Sequence, residues 1–298
     1  MHVVEVAMSR YINPYTDFGF KKLFGEEASK DLLADFLNTL LPERHQIHTL
    51  EFRNPELLGA ASTDRRAVFD IYCENDKKEQ FIVEMQKAEE DYFKDRALYY
   101  VAHPIRAQGQ KGRTWNFNLK TVYFIGILDF VFDKHDPDPL LINEVSLKNQ
   151  HGKEFYDKLK MIYVQMPLFK KTEAQLKTHR DKWFYFLKYL PDLEHIPAIM
   201  KEKVFKKAFK KAELAAMPEK ERELYEYNLH HYWTYWATIE TAENRGKASG
   251  EARGEAKGRT KEKTEIAQNM KNEGFDPAMI AKITGLSLKE INRLKSIG

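Results

Sequence analysis

Apolar residues change their spacing several times along this chain, and each change predicts a different element. After NPYTD, positions Phe20, Leu23, Phe24, Leu32, Leu33, Phe36, Leu37, Leu40 and Leu41 recur every three or four residues, the spacing that lines one side of a helix. Pro14 with Thr16 or Asp17 supplies a start and a cap, and Pro42 a stop, so one or two helices fill the stretch. The runs then shorten. Segments 47–52 (IHTLEF), 67–73 (AVFDIYC), 79–86, 121–128 (TVYFIGIL), 142–147 and 161–166 are brief, apolar and rich in β-branched and aromatic residues, the composition of strands. Residues 89–108, between the third and fourth, read as a helix. Helix, three strands, helix and strand predict an α/β architecture with a mixed sheet that ends near residue 170.

From about 173 to 245 the chain reads as helical and aromatic, with Trp183, Phe184, Phe186, Tyr189, Tyr225, Tyr232, Trp233 and Trp236 divided by Pro191, Pro197 and Pro218. In GKASGEARGEAKGR (246–259) every fourth residue is glycine. Each costs about 1 kcal/mol in a helix while the flanking Ala, Glu, Lys and Arg favour one, so 246–263 is expected to be a weakly helical linker. In 264–298, Asp276 caps a helix opening at Pro277, with Met279, Ile280 and Ile283 as its apolar side and Gly285 as its end. Ser287 and Glu290 form a capping box for a last helix carrying Ile291 and Leu294. The expected organisation is a core at 1–170, a helical extension at 171–245, the linker, and a helix-turn-helix-like tail at 264–298.

Composition narrows the function classes. In 298 residues, 43% are hydrophobic and 31% charged, enough for a sizeable core. No apolar run approaches the roughly 18 to 20 residues of a membrane span, and MHVVEVA is too short for a secretory signal, so the expectation is a cytoplasmic protein with no membrane partner. The single cysteine, Cys73, excludes an internal disulfide and a cysteine zinc cluster. A net charge of +3 permits an anionic partner without demanding one.

The candidate chemistry lies in two of the strands. Strand alternation puts Val68, Asp70 and Tyr72 on one face of the first, opposite Phe69, Ile71 and Cys73, and Ile82, Glu84 and Gln86 on one face of the second. A short polar turn joins them, so a hairpin can bring Asp70 and Glu84 together. Two ionised carboxylates at close range repel unless a cation lies between them or one keeps its proton. Hard oxygen ligands favour Mg²⁺ or Mn²⁺ over zinc, and such ions serve phosphodiester hydrolysis. Spacing alone leaves this open, because acids in alternating strands are also the ordinary polar positions of a half-exposed hairpin.

Taken in order, TDFGFKKLFG (16–25), FLNTLL (36–41), AVFDIY (67–72), FIVEMQ (81–86), RALYY (96–100) and YFIGILDFVF (123–132) resemble the Rpn family of recombination-promoting nucleases and transposases, within the PD-(D/E)XK nuclease superfamily. The resemblance covers most of residues 10–170 and extends to the glycine-alanine-charge tail. It implies a restriction-endonuclease-like αβββαβ core and a Mg²⁺-dependent (or Mn²⁺-dependent) endonuclease acting on DNA in recombination or transposition. Asp70 and Glu84 would bind the metal, with the backbone carbonyl of Met85 as a further ligand. Where the superfamily usually carries a lysine, this chain has Gln86. Glutamine can orient water but supplies no charge and is no general base near neutral pH, although Rpn-like sequences share it. A protein that keeps the fold, binds DNA or assembles, and does not cut is therefore the competing reading, and RNA is a third.

Other charged residues are candidates for phosphate. Lys87 in an undistorted strand points away from Gln86. Asp17 and Lys21 lie one helical turn apart, either as a supplementary carboxylate and a phosphate-facing charge or as an exposed pair worth roughly 0.2–0.5 kcal/mol; Glu26 and Asp35 compete for the acid role. Arg96, on the face of the 89–108 helix that also bears Tyr100, can clamp phosphate or fix Glu84, and His103 reads as structural. KEKVFKKAFKK (201–211) is a phosphate-tracking surface or a solvated helix face. In the tail, Lys289, Arg293 and Lys295 are a modest basic set for reading DNA, and the helical regions also allow a homo-oligomer.

Overall fold

The computed structural model describes residues 9–57, 67–109, 116–133 and 135–294. They divide into two compact units, 1–232 and 233–298. The first begins with two helices, α1 (Asp17–Phe24) and α2 (Lys30–Asn38). Thr16 caps α1, its hydroxyl accepting the Gly19 N–H at 2.9 Å. A Cβ at Gly19 would lie 2.1 Å from the Asn13 carbonyl oxygen, so only glycine lets the incoming chain fold back this tightly over the first turn.

The strands that follow are β1 (Leu50–Phe52), β2 (Glu56–Leu57), β3 (Ala67–Val68), β4 (Ile71–Asn75), β5 (Gln80–Gln86), β6 (Val122–Leu128), β7 (Ile142–Lys148) and β8 (Glu154–Gln165), with helix α3 (Phe93–Ala107) between β5 and β6. Among the described residues, six build one sheet in the order β1-β4-β5-β6-β8-β7. β1, β4 and β5 form an antiparallel meander, β6 and β8 run parallel to β5, and β7 returns antiparallel on the edge. The expected mixed sheet is present, with α3 as the crossover that a parallel connection requires.

Both faces of this sheet are covered. Cys73, Phe81, Val83, Tyr123, Ile125, Ile127, Ile162 and Val164 face a core shared with α1, α2, α4 (His179–Tyr189) and α5 (Lys203–Ala212). Tyr72, Ile82, Phe124, Leu128 and Tyr163 face a smaller core under α3, with Phe93, Ala97 and Val101. Trp183 is fully buried in the larger core, its ring centre 4.9 to 5.8 Å from those of Phe24, Phe36, Phe186 and Phe205. Its indole N–H reaches Asp35 at 2.7 Å.

One expected strand is two. Segment 67–73 breaks at Asp70: β3 pairs with β2 in a separate ribbon, and only β4 joins the main sheet. The faces change with it. Phe69 and Tyr72, three residues apart, both lie in the α3 core, so the assignment of Phe69 to the face of Ile71 does not hold. The cause is local, since the Asp70 N–H goes to a side chain, Glu84, rather than to a neighbouring strand.

Helix α6 (Glu219–Asn272) opens in the first unit and runs without interruption through the glycine repeat. The expected linker is fully helical there, because the good helix formers between the glycines outweigh four sites of weak propensity. The second unit ends in α7 (Pro277–Thr284) and α8 (Leu288–Arg293). Asp276 caps α7, Gly285 closes it in the left-handed conformation (φ 69°), and Ser287 with Glu290 forms the capping box of α8. Ala267, Ile280 and Ile291 make its small core. Met279 and Ile283, expected on the apolar side of α7, are instead exposed, because a core of this size takes one residue from each helix.

Replacing Trp183 with alanine should lower stability by about 3–5 kcal/mol, the cost of emptying a large aromatic site. Urea unfolding followed by far-UV circular dichroism measures it, and a loss under about 1 kcal/mol would contradict this packing.

Candidate metal centre

β4 and β5 pair Ile71 with Val83, so one further step of the register sets Asp70 opposite Glu84. There the ladder gives way to side chains. The Asp70 N–H donates to Glu84 Oε1 at 3.1 Å, and the Met85 N–H donates to Asp70 Oδ2 at 2.8 Å. Each carboxylate thus takes an amide from the opposite chain, and both acids lie at the end of β5. Glu84 is only 4% exposed. Burial, then the charge of Asp70, pushes the Glu84 carboxyl well above its ordinary range, against the Asp70 N–H, Arg96 and Gln86. Burial raises Asp70 as well, opposed by the Met85 N–H and by Lys21. Two acids in this setting share a proton unless a cation neutralises them.

Gln86 completes the row on β5. Its side-chain N–H donates to Glu84 Oε2 at 3.0 Å, and its carbonyl oxygen accepts a bond from Arg96 on α3. Arg96 also pairs with Glu90 at 2.5 Å. The glutamine therefore bridges Glu84 and an arginine. Lys21 on α1 bonds Asp17 at 2.7 Å, both about half exposed. Burial works against the Lys21 charge, yet the Asp17 bond and the charges of Asp17, Asp70 and Glu84 raise it above its usual value. The helical pair and the strand pair therefore share one electrostatic neighbourhood.

The sequence reading passed over Asp129, directly after β6. Its N–H donates to the Gln86 carbonyl at 2.9 Å, and its carboxylate accepts the Tyr232 hydroxyl of α6 at 3.1 Å. Burial pushes its pKa up to about 6, against the Tyr232 bond and Lys188. The Tyr15 hydroxyl is buried with no hydrogen-bond partner among the described residues, and feels the charges of Asp129 and Tyr232. An acid ending an apolar parallel strand, in YFIGILDF, was a readable signal, because sites in such sheets gather at the carboxyl ends of strands. Tyr232 gave no signal within a helical aromatic run.

Other candidates lie elsewhere or have structural partners. Asp35 bonds Trp183 and His179, and Glu26 pairs with Lys211 and Lys22. Within the lysine-rich α5, Lys207 pairs with Asp31 and Lys211 with Glu26, so this helix is stitched to its neighbours. Tyr100 packs edge-on to Phe69 at 5.1 Å, and His103 is buried against Tyr99. In the second unit, Lys289 and Arg293 are exposed on α8, and Lys295 lies outside the described residues.

Among the described residues no group of three or more His, Cys, Asp and Glu side chains could hold a metal. Two carboxylates, with backbone carbonyl oxygen at Met85, fit Mg²⁺ or Mn²⁺, which take one or two carboxylates and retain water; they do not fit the nitrogen and sulfur preference of zinc. No helix among the described residues is long and apolar enough to cross a membrane.

The family model of the PD-(D/E)XK nuclease family transposases matches residues 14–242. The model of the Rpn/YhgA-like nuclease family C-terminal HTH domain matches residues 260–296. Comparison with curated proteins and with solved structures gives no match.

Two measurements test the centre. Mn²⁺ at about a hundred times its Kd should stabilise the wild-type chain by about 2.7 kcal/mol, whereas Glu84→Gln should unfold at or above the metal-free wild-type temperature and lose most of the response; an equal response from both proteins in a thermal melt would remove Glu84 from the centre. Asp129 keeps its proton in the folded chain up to about pH 6, while an unfolded aspartate loses it near 3.9. Its contribution to stability is therefore complete below that lower value and falls as pH rises to about 6. In urea titrations at pH 4, 5 and 6, Asp129→Asn should flatten this decline, and an unchanged slope would count against the buried acid.

Proposed function

Because the chain belongs to the PD-(D/E)XK nuclease family transposases, with an Rpn/YhgA-like helix-turn-helix at its end, we propose that it hydrolyses phosphodiester bonds in DNA with a divalent cation held by Asp70 and Glu84. The observation that carries this is the carboxylate pair of half-buried Asp70 and buried Glu84 at the end of β5, whose two acids are both pushed toward the protonated form. A cation removes that conflict by allowing both to ionise. When bound, Mg²⁺ or Mn²⁺ supplies charge stabilisation to a phosphoryl oxygen and an activated water.

The chain's own residues do the rest. The Asp70 and Met85 amides fix one oxygen of each acid, so the ligands are oriented before the ion arrives. The backbone carbonyl of Met85 is the further ligand. Gln86 holds the second oxygen of Glu84 and the Arg96 guanidinium, and orients water by hydrogen bonding rather than by removing its proton. Arg96 and Lys21 meet phosphate oxygens, and Asp17 holds Lys21. Lys289 and Arg293 on α8 bind DNA from the second unit. Recombination or transposition is the setting proposed for the cut, in the cytoplasm, with a second copy of the chain as an allowed partner. The engagement of Gln86 at both ends favours one alternative, a DNA-binding protein that no longer cuts.

Supercoiled plasmid with Mg²⁺ or Mn²⁺ separates the two. The wild type should nick it, and Asp70→Ala and Glu84→Ala should be slower by roughly a hundredfold or more, as follows from losing several kcal/mol of charge stabilisation. Equal cutting by all three would place the activity elsewhere, and binding without cutting by all three would establish the non-cleaving reading.

A further inference from the structure

Charge accounting at this centre leaves a deficit. Two ionised carboxylates and one divalent cation sum to zero, and a phosphodiester then adds a negative charge that grows as water attacks. Gln86 contributes none, and both ends of its amide are occupied. Lys21 and Arg96 each share their charge with a carboxylate, Asp17 at 2.7 Å and Glu90 at 2.5 Å. A cation not committed to a carboxylate is needed.

Lys87 meets the requirement. β5 ends at Gln86, so strand alternation no longer fixes the next side chain. No ion pair joins the Lys87 ammonium to a carboxylate among the described residues. It lies instead 5.9 Å from the ring centre of Tyr232, a cation–π contact that orients a charge without cancelling it. Tyr232 is itself fixed by the 3.1 Å bond to Asp129, and the Asp129 N–H holds the Gln86 carbonyl, one peptide before Lys87. The four residues close a ring, with the Tyr15 hydroxyl buried beside it. The charge of Lys87 also reaches Asp70, where it favours the ionised carboxylate.

We propose that Lys87 is a further cationic residue that meets the phosphodiester at the metal centre, beside Lys21 and Arg96, and that Tyr232 and Asp129 are its positioning residues; this rests on the hydrolysis reading above. The lysine acts from the position next to Gln86, held by an aromatic face that α6 brings over the strand end. A lysine remote from the centre would leave a bound cation indifferent. One aimed at the centre opposes the cation and favours the anion.

The full-length protein allows both effects to be measured, by Mn²⁺ calorimetry without DNA and by plasmid cleavage. Lys87→Met should bind Mn²⁺ about three- to tenfold more tightly, having lost a nearby positive charge, and cut roughly a hundredfold more slowly. Lys87→Arg should recover most of the cutting. Tyr232→Leu, which leaves the lysine without its ring, should lower kcat about tenfold with KM for DNA unchanged. An unchanged Mn²⁺ affinity in Lys87→Met overturns the placement. A wild type that cuts while Lys87→Met cuts equally well overturns the role of Lys87 alone, whereas a wild type that cuts nothing removes the hydrolysis reading and this role with it.

Discussion

Asp70 and Glu84 accept backbone amides across the gap between β4 and β5, and in doing so they replace the last rungs of the strand ladder with carboxylate bonds. Much of the surrounding architecture follows. Because the Asp70 amide is spent on Glu84, the main-sheet strand starts only at Ile71, and the preceding residues turn away to pair with β2. Because Glu84 and Gln86 share a face, the row points toward α3, where Arg96 is in reach. Because the parallel β6 lies beside β5, its terminal Asp129 arrives level with Gln86. The arrangement is stable only where amides and nearby cations offset the repulsion of two close acids, so the requirement for charge compensation spreads from one residue pair through four elements.

The sequence made the mixed sheet and most helix boundaries legible because their signals are local. Thr16, Asp276 and Ser287 cap the helices they precede, and Gly285 closes α7 with a positive φ that favours glycine. The acids Asp70 and Glu84 could be placed near one another from hairpin spacing alone. Strand alternation failed where a side chain competes with the ladder: nothing in AVFDIYC says that Asp70 will divert its own amide, and the faces of Val68 and Phe69 follow from that diversion. Lys87, just past the strand's last residue, reaches Tyr232 on the side of the sheet that Val83 and Met85 face. Tyr232 comes from nearly 150 residues further along the chain, a separation over which spacing carries no information. The two readings of 201–211 could not be separated from sequence because the partners of Lys207 and Lys211, Asp31 and Glu26, belong to a distant part of the chain.

The two units use charge differently. In the first, several positive side chains are absorbed: Lys207 and Lys211 of α5 are held by carboxylates, and Arg96 is shared between Glu90 and Gln86. In the second, α8 carries its cations exposed above a core of three small contributions from α6, α7 and α8. Lys271 caps the end of that short helix, donating to the Ile291 and Leu294 carbonyls at 3.1 and 2.7 Å. One ammonium there substitutes for hydrophobic area that so small a unit lacks.

The amide of Gln86 has a direction: its nitrogen end faces an acid and its oxygen end faces a guanidinium. A lysine at this position could serve the acid, but it would leave Arg96 with Glu90 alone and set two cations side by side. The route from this centre back to the usual lysine therefore runs through Arg96, which would first have to become neutral or turn away. Residues 86 and 96 are in this sense a single choice of wiring, and the two versions of the centre are separated by intermediates that carry either surplus or missing charge.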